Sequence, residues 1–304
     1  MLTRRSFIEQ SALALGALTC LEAAFADVAL AAKDTKSGPL GLPIGIQLYT
    51  VRAETAKDLE GTLKKISDIG YREVELAGYY DKSPKELSTL LKRYSLAAPS
   101  AHRGLKDVLA NPDKEIDYLR EMGVSYLVIP FPAVKDDRFA NQPADAQKTI
   151  ANSTTLDDWK WIAESLNKIA EKAKRAGLRT GYHNHQEEFK RMGGERPMDL
   201  LARDTGKDVM LQFDVGTCVE AGSDPVAWVK QNPGRIRSLH LKDWSPDRGY
   251  RVLFGEGTVP WKEIFQAAEH GGGVEFYLIE QEGSDYPPFE TARRCLATFK
   301  KIHG

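Results

Sequence analysis

Eight times between residues 44 and 301, a short unbroken apolar run is followed by a segment with helical periodicity. That alternation constrains the fold more than any other feature of the chain. The strand-like runs are 44–49, 73–76, 96–101, 126–130, 178–183, 209–213, 236–241 and 275–280. The helix-like segments are 59–69, 84–94, 115–122, 155–176, 197–204, 224–231, 261–269 and 288–301. The runs are continuous rather than alternating, as expected where both faces of a parallel sheet are covered. Helix boundaries are marked by Ser83-Pro84 at a start and by Gly70, Gly123 and Gly177 at ends. Along 155–176, Trp159, Ile162, Leu166, Ile169 and Ala173 fall on one face. Eight such units predict an α/β protein, a (β/α)₈ TIM barrel over residues 36–304, with its chemistry at the C-terminal strand ends. A doubly wound open sheet is the alternative, and no Gly-x-Gly-x-x-Gly follows any strand to support it. The segment 133–153 reads as a long loop, of the kind that forms lids or binding loops.

Composition narrows the function. The chain has 304 residues, 42% hydrophobic and 28% charged, with a net charge of −1. That balance gives no electrostatic footprint for nucleic acid or an anionic membrane. No window beyond the N-terminus approaches the ~20 apolar residues of a membrane span. The first residues differ from the rest. Thr3-Arg4-Arg5-Ser6-Phe7-Ile8 is a twin-arginine pattern, followed by an uncharged run to Leu21 and a small-x-small site, Ala24-Phe25-Ala26. These are the parts of an export signal. Residues 1–35 therefore read as signal peptide and linker, and the mature protein as periplasmic and free of the membrane after cleavage. Cys218 and Cys295 remain, which is no disulfide framework.

Four of the later strand ends carry side chains that bind metals. They are Gly181-Tyr182-His183-Asn184-His185, Leu211-Gln212-Phe213-Asp214, Ser238-Leu239-His240-Leu241-Lys242-Asp243 and Tyr277-Leu278-Ile279-Glu280. Imidazole and carboxylate together hold a divalent cation well, and strand ends converge only if the strands are parallel. Each residue has a plainer reading: Asp214 as a helix N-cap, His240 as a core histidine, Glu280 as an ion-pair partner of Lys242. Buried together without a cation or substrate, these groups would be costly. Earlier strands add Gln47 and Tyr49, Glu75, and His102, all able to hydrogen-bond sugar hydroxyls. A salt bridge from Glu75 to Arg72 or Arg103 is an equal alternative. Trp244 and Phe254 offer rings for stacking on a pyranose, with a place in the core as the equal alternative. Lys242 can donate a proton or stabilise an enolate.

These phrases in this order, with the opening Ile44-Gly45-Ile46-Gln47-Leu48-Tyr49-Thr50-Val51-Arg52 and Ile279-Glu280-Gln281-Glu282, resemble the sugar phosphate isomerase/epimerase superfamily over about residues 43–303. The resemblance implies a xylose-isomerase-like barrel with a cation, Mn²⁺ first and Mg²⁺, Zn²⁺ or Co²⁺ as alternatives. It implies Asp214, His240 and Glu280 as ligands. Most members place a glutamate at the end of strand five, where this chain has His183. The fifth-strand ligand is then His183, or His185 two residues on, or Glu187 or Glu188 reaching back. The implied activity is that of a sugar isomerase or epimerase, with a proton removed beside a carbonyl through an enediolate held on the cation. His185 and Glu187 are the candidates to move that proton. Expelling a β-leaving group at the same site makes a 3-keto-glycoside lyase or hydratase. An exported protein without a phosphate cradle points to a free or oxidised sugar as the small-molecule partner. A non-catalytic periplasmic sugar-binding barrel is the rival from another class, and an endonuclease IV-type nuclease lacks the basic groove it needs. Nothing in the sequence argues against a homo-oligomer.

The export reading has a direct test. Arg4→Lys together with Arg5→Lys leaves precursor in the cytoplasm on cell fractionation; an unchanged periplasmic yield refutes it.

Overall fold

Local signals build the elements. In the first large helix, α1 (Leu59–Ile69), Asp58 caps the start by accepting the Gly61 N–H at 2.9 Å. Gly70 closes it at φ 117°, a left-handed conformation open to glycine at little cost. Ser83 and Glu86 form a reciprocal capping box for α2 (Pro84–Arg93), and Thr155 and Asp158 do the same for α4 (Leu156–Arg175). The remaining barrel helices are α3 (Pro112–Met122), α5 (Pro197–Asp204), α6 (Pro225–Gln231), α7 (Trp261–Ala267) and α8 (Pro288–Ile302). The computed structural model describes residues 41–136, 139 and 147–303. The proposed signal peptide and linker, 1–35, lie outside the described residues.

The strands are β1 (Ile44–Gln47), β2 (Glu73–Leu76), β3 (Ala97–His102), β4 (Tyr126–Ile129), β5 (Arg179–His183), β6 (Val209–Asp214), β7 (Ser238–Leu241) and β8 (Phe276–Ile279). They close in sequence order into an eight-stranded barrel, every pairing parallel, β8 against β1. The predicted fold class is therefore the observed one. Helices cover the outside, and α4 contributes Trp159, Ile162, Leu166 and Ile169, all buried. Each such side chain is worth roughly 1.5–3 kcal/mol on burial.

Inside the barrel the period of two sorts side chains by height. Tyr126, Val128, Met210, Phe276 and Leu278 form their own apolar cluster. Two residues further along two of those strands stand Gln212 and Glu280. The apolar group is thus a floor, and the polar residues sit above it towards the C-terminal mouth. The floor is tight: a Cβ on Gly181 would lie 2.7 Å from Met210 Cγ.

Several expectations need correction. The strand predicted over 44–49 ends at Gln47, because Leu48–Val51 turn into a 3-10 helix. Tyr49 consequently leaves the sheet and is 44% exposed. Short helices at Arg52–Thr55, Leu105–Ala110 and Val215–Glu220 were not expected; four to six residues carry too little periodicity to show. The segment read as one long loop includes the helix Gln147–Ser153, while 137–138 and 140–146 lie outside the described residues. Phe254 is a core side chain packed on Trp261, Phe265 and Phe299, not a sugar platform.

Glu73 opens β2 on the inward face, one period before Glu75, and its Oε2 is buried without a partner. Burial pushes its carboxyl up to about 7. The folded protein then holds a proton that the unfolded chain has released, so this group weakens stability as pH rises from about 4.5 to about 7. Glu73→Gln is expected to flatten that part of the curve. Thermal melts of both proteins at pH 5 and pH 8 check it, and an unchanged slope refutes it.

Candidate active site at the barrel mouth

One carboxylate organises the interior beneath the mouth. Glu75 is fully buried. Its Oε1 accepts from Gln47 Nε2 at 2.7 Å and lies 2.8 Å from His240 Nε2 and 3.0 Å from His102 Nε2. Its Oε2 accepts from Gln212 Nε2 at 2.6 Å and Ser100 Oγ at 2.5 Å. Burial opposes charge here, but the imidazoles of His102 and His240 hold the carboxyl well below the usual range. Neither Arg72 nor Arg103 pairs with it: Arg103 is bound to Glu115, and Arg72 to backbone carbonyls. The salt-bridge alternative for Glu75 is thereby removed.

Above this layer the strand ends converge. His183, Asp214, His240 and Glu280 each present one donor atom, and the four atoms lie within 4.8 Å of one another. His102, His183 and His240 form an overlapping trio on the same criterion. The rings of His183 and His240 are 4.3 Å apart. His240 Nδ1 is 2.7 Å from Glu280 Oε2. Burial disfavours its charge, yet Glu75 and Glu280 push its pKa up to about 10.

Lys242, just past β7, is fully buried among three carboxylates: Asp214 at 2.7 Å, Glu282 at 2.6 Å and Glu280 at 3.3 Å. Burial lowers a lysine pKa, but these neighbours outweigh it and hold Lys242 as an ammonium. Asp214 is also the N-cap of Val215–Glu220, its Oδ1 accepting from Thr217 N at 3.0 Å. The capping reading and the cluster reading are both met, by different oxygens. Glu280 likewise serves an ion pair and the cluster.

His185 stands at the rim of this group. It stacks on Phe131 at 4.5 Å and meets the His183 ring edge-on at 4.9 Å. Its Nδ1 is buried without a partner, as is that of His183. Burial, helped by Lys242, pushes the His185 pKa down to about 3, so the ring is neutral at physiological pH. Burial also holds His183 well below the usual imidazole range, reinforced by His240.

Other predicted residues are placed less centrally. Gln47 and His102 join the Glu75 layer, with Gln47 Nε2 3.3 Å from His102 Nδ1. Tyr49 is at the surface with Arg52 over its ring at 4.3 Å. Glu187 accepts from Gln186 and lies near Lys190, both outside the cluster. Trp244 is half-buried, and its backbone N–H donates to Asp243. Sequence reasoning passed over Gln212, Ser100, Asn184 and Glu282. Gln212 was legible, standing one period before Asp214 on the same strand face. Asn184, which accepts from Asp214 N and donates to Asp214 O and Thr217 Oγ1, was not, because it clamps a neighbouring strand.

A closed parallel barrel with a buried histidine–carboxylate–lysine cluster at its C-terminal mouth is the architecture of a barrel enzyme. The chain belongs to the xylose isomerase-like TIM barrel family, whose model matches residues 63–302. It is 25% identical over 270 residues to an inosose dehydratase of Lacticaseibacillus casei, covering 78% of this chain and 87% of that one. A solved sugar phosphate isomerase/epimerase from Parabacteroides distasonis superposes with a TM-score of 0.69 at 27% identity, covering 86% of this chain and 94% of the other. The structure of an L-ribulose 3-epimerase shares the fold, with a TM-score of 0.61 at 17% identity over 85% of this chain and 93% of that one. The relatives and neighbours named here are enzymes: an inosose dehydratase, a sugar phosphate isomerase/epimerase and an L-ribulose 3-epimerase.

The ion pairs make Lys242 structural as well as chemical. Lys242→Met leaves three carboxylates without their shared cation, and removing one partner of a buried pair typically costs about 3–5 kcal/mol. Urea unfolding is expected to show a loss of that size; a loss below about 1 kcal/mol would mean the pairs are relieved by solvent.

Proposed function

We propose that this protein is a divalent-metal-dependent lyase acting on an unphosphorylated keto-sugar or cyclic keto-polyol, removing the proton beside the carbonyl and expelling a β-hydroxyl as water. His183, Asp214, His240 and Glu280 would hold the cation. The fit rests on the unpartnered buried Nδ1 of His183 and on a donor set of two imidazoles and two carboxylates, which suits Mn²⁺, Co²⁺ or Zn²⁺. When bound, the cation polarises the carbonyl and makes the adjacent C–H more acidic.

The observation that carries the reading is geometric: an unpartnered buried nitrogen of His185 and the ammonium of Lys242 both adjoin the same cluster. His185 is neutral and has a free ring nitrogen at the rim of the cluster. Lys242 is an ammonium held against Asp214 and Glu280 of the same cluster. Elimination needs that division of labour. His185 takes the proton from carbon, and the electron pair becomes the new double bond. The carbon–oxygen bond breaks, Lys242 protonates the departing hydroxyl, and water leaves. Proton transfer from His185 back to Lys242, directly or through solvent, resets the site. Gln47 and His102 are committed to the Glu75 layer beneath the mouth, and Tyr49 and Trp244 are the aromatic side chains nearest the ends of β1 and β7. The likeness to an inosose dehydratase supports a loss of water. The likeness to a sugar phosphate isomerase/epimerase favours a second reading, in which the proton returns to the neighbouring carbon. The twin-arginine pattern at Arg4-Arg5 supports a periplasmic setting for either activity, where unphosphorylated substrates predominate.

Two measurements test this. Wild-type protein loaded with Mn²⁺ and desalted is expected to keep a stoichiometric cation by elemental analysis, and Asp214→Ala and Glu280→Ala to lose most of it; a wild type without metal sinks the proposal. Incubation with a panel of keto-sugars and keto-inositols in D₂O separates the reactions. Elimination gives a product lighter by one water, whereas isomerisation gives deuterium incorporation at unchanged composition.

A further inference from the structure

We propose that Glu75 is a positioning residue for His240: it keeps the proton on Nε2 and so makes Nδ1 the nitrogen that His240 turns to the cation. This rests on the metal site proposed above. A neutral imidazole has one lone pair, and the hydrogen bond made by one nitrogen decides which nitrogen is left to bind a metal. Both nitrogens of His240 face carboxylates, Nε2 towards Glu75 at 2.8 Å and Nδ1 towards Glu280 at 2.7 Å. Distance alone does not choose between them.

What each carboxylate does elsewhere chooses. Glu280 belongs to the four-residue cluster, and its Oε2 is shared with Lys242 at 3.3 Å. It lies on the side where a cation would sit. Glu75 is absent from that cluster and fully enclosed. Its two oxygens are occupied by Gln47, Ser100, Gln212, His102 and His240, which come from β1, β3, β6 and β7. A shift of Glu75 would leave several buried donors unpaired at once, each a cost of about 1–3 kcal/mol. It is therefore the fixed acceptor, and the Nε2–H···Oε1 bond is the one that persists. His102 fits the same scheme: Nδ1 faces the amide donor of Gln47 and Nε2 faces the Gln212 oxygen, so its proton belongs on Nε2. Glu75, expected from sequence to touch a sugar hydroxyl, instead acts through His240.

The test uses the purified protein with a metal ion alone. Nitrogen-15 NMR of the Zn²⁺-loaded wild type is expected to show His240 protonated at Nε2 and metal-bound at Nδ1; the opposite assignment overturns the proposal. Glu75→Gln replaces the charged acceptor with an amide of the same size. By isothermal titration with Co²⁺ it is expected to bind about 10- to 100-fold more weakly, while circular dichroism of the chelated protein stays that of a barrel. Unchanged affinity in folded Glu75→Gln also overturns it. If that variant does not fold, the wild-type NMR assignment decides alone. A wild type that takes up neither Zn²⁺ nor Co²⁺ fails the metal site itself, and this proposal with it, a result distinct from bound metal with the wrong nitrogen.

Discussion

A charged carboxylate cannot sit inside a barrel unless donors surround it, and the Glu75 layer is that requirement satisfied. Five side chains from four other strands point at one group. Each would be costly to bury alone, because an unpaired polar group in an apolar interior loses its water without replacement. Together they neutralise one another and fix the strands in register around the axis. The apolar floor of Tyr126, Val128, Met210, Phe276 and Leu278 closes the space below. The barrel is accordingly apolar at the bottom, hydrogen-bonded in the middle and ionic at the top.

That gradation sets the chemistry of the mouth. His240 lies between two carboxylates and is driven to bind a proton, whereas burial and neighbouring cationic groups drive His183 and His185 to lose theirs. Three imidazoles within a few ångströms thus behave differently because their neighbours differ, not because their type does. Lys242 completes the balance by holding Asp214, Glu280 and Glu282 together. The ion pairs hold those three carboxylates in place, while the Nδ1 atoms of His183 and His185 are left without partners.

Much of the fold was readable before the structure. Helices α1 and α5 fall at the predicted 59–69 and 197–204, since periodicity and flanking signals such as Ser83-Pro84 and Gly70 are local properties. The strand ends bearing His183, Asp214, His240 and Glu280 were readable for the same reason: a continuous apolar run ends where polarity begins. Tyr49 was misplaced because β1 turns into a 3-10 helix two residues before it, a bend stabilised by Gln47 accepting the Tyr49 N–H at 3.0 Å. Phe254 was left between core and stacking roles because an aromatic residue in a loop carries no sign of what it packs against, and the structure puts it in the core.

By itself, then, the sequence determined which residues alternate, where elements begin and end, and which reactive side chains stand at strand ends, because those depend on near neighbours in the chain. The tertiary structure decided which of those side chains meet. Glu75 and His240 are 165 residues apart and 2.8 Å from each other. Their contact exists only because eight parallel strands close on themselves, and so do the charge on His240, the neutrality of His185 and the enclosure of Lys242. Protonation depends on burial and on nearby charge, and both are properties of the closed barrel rather than of any segment of it.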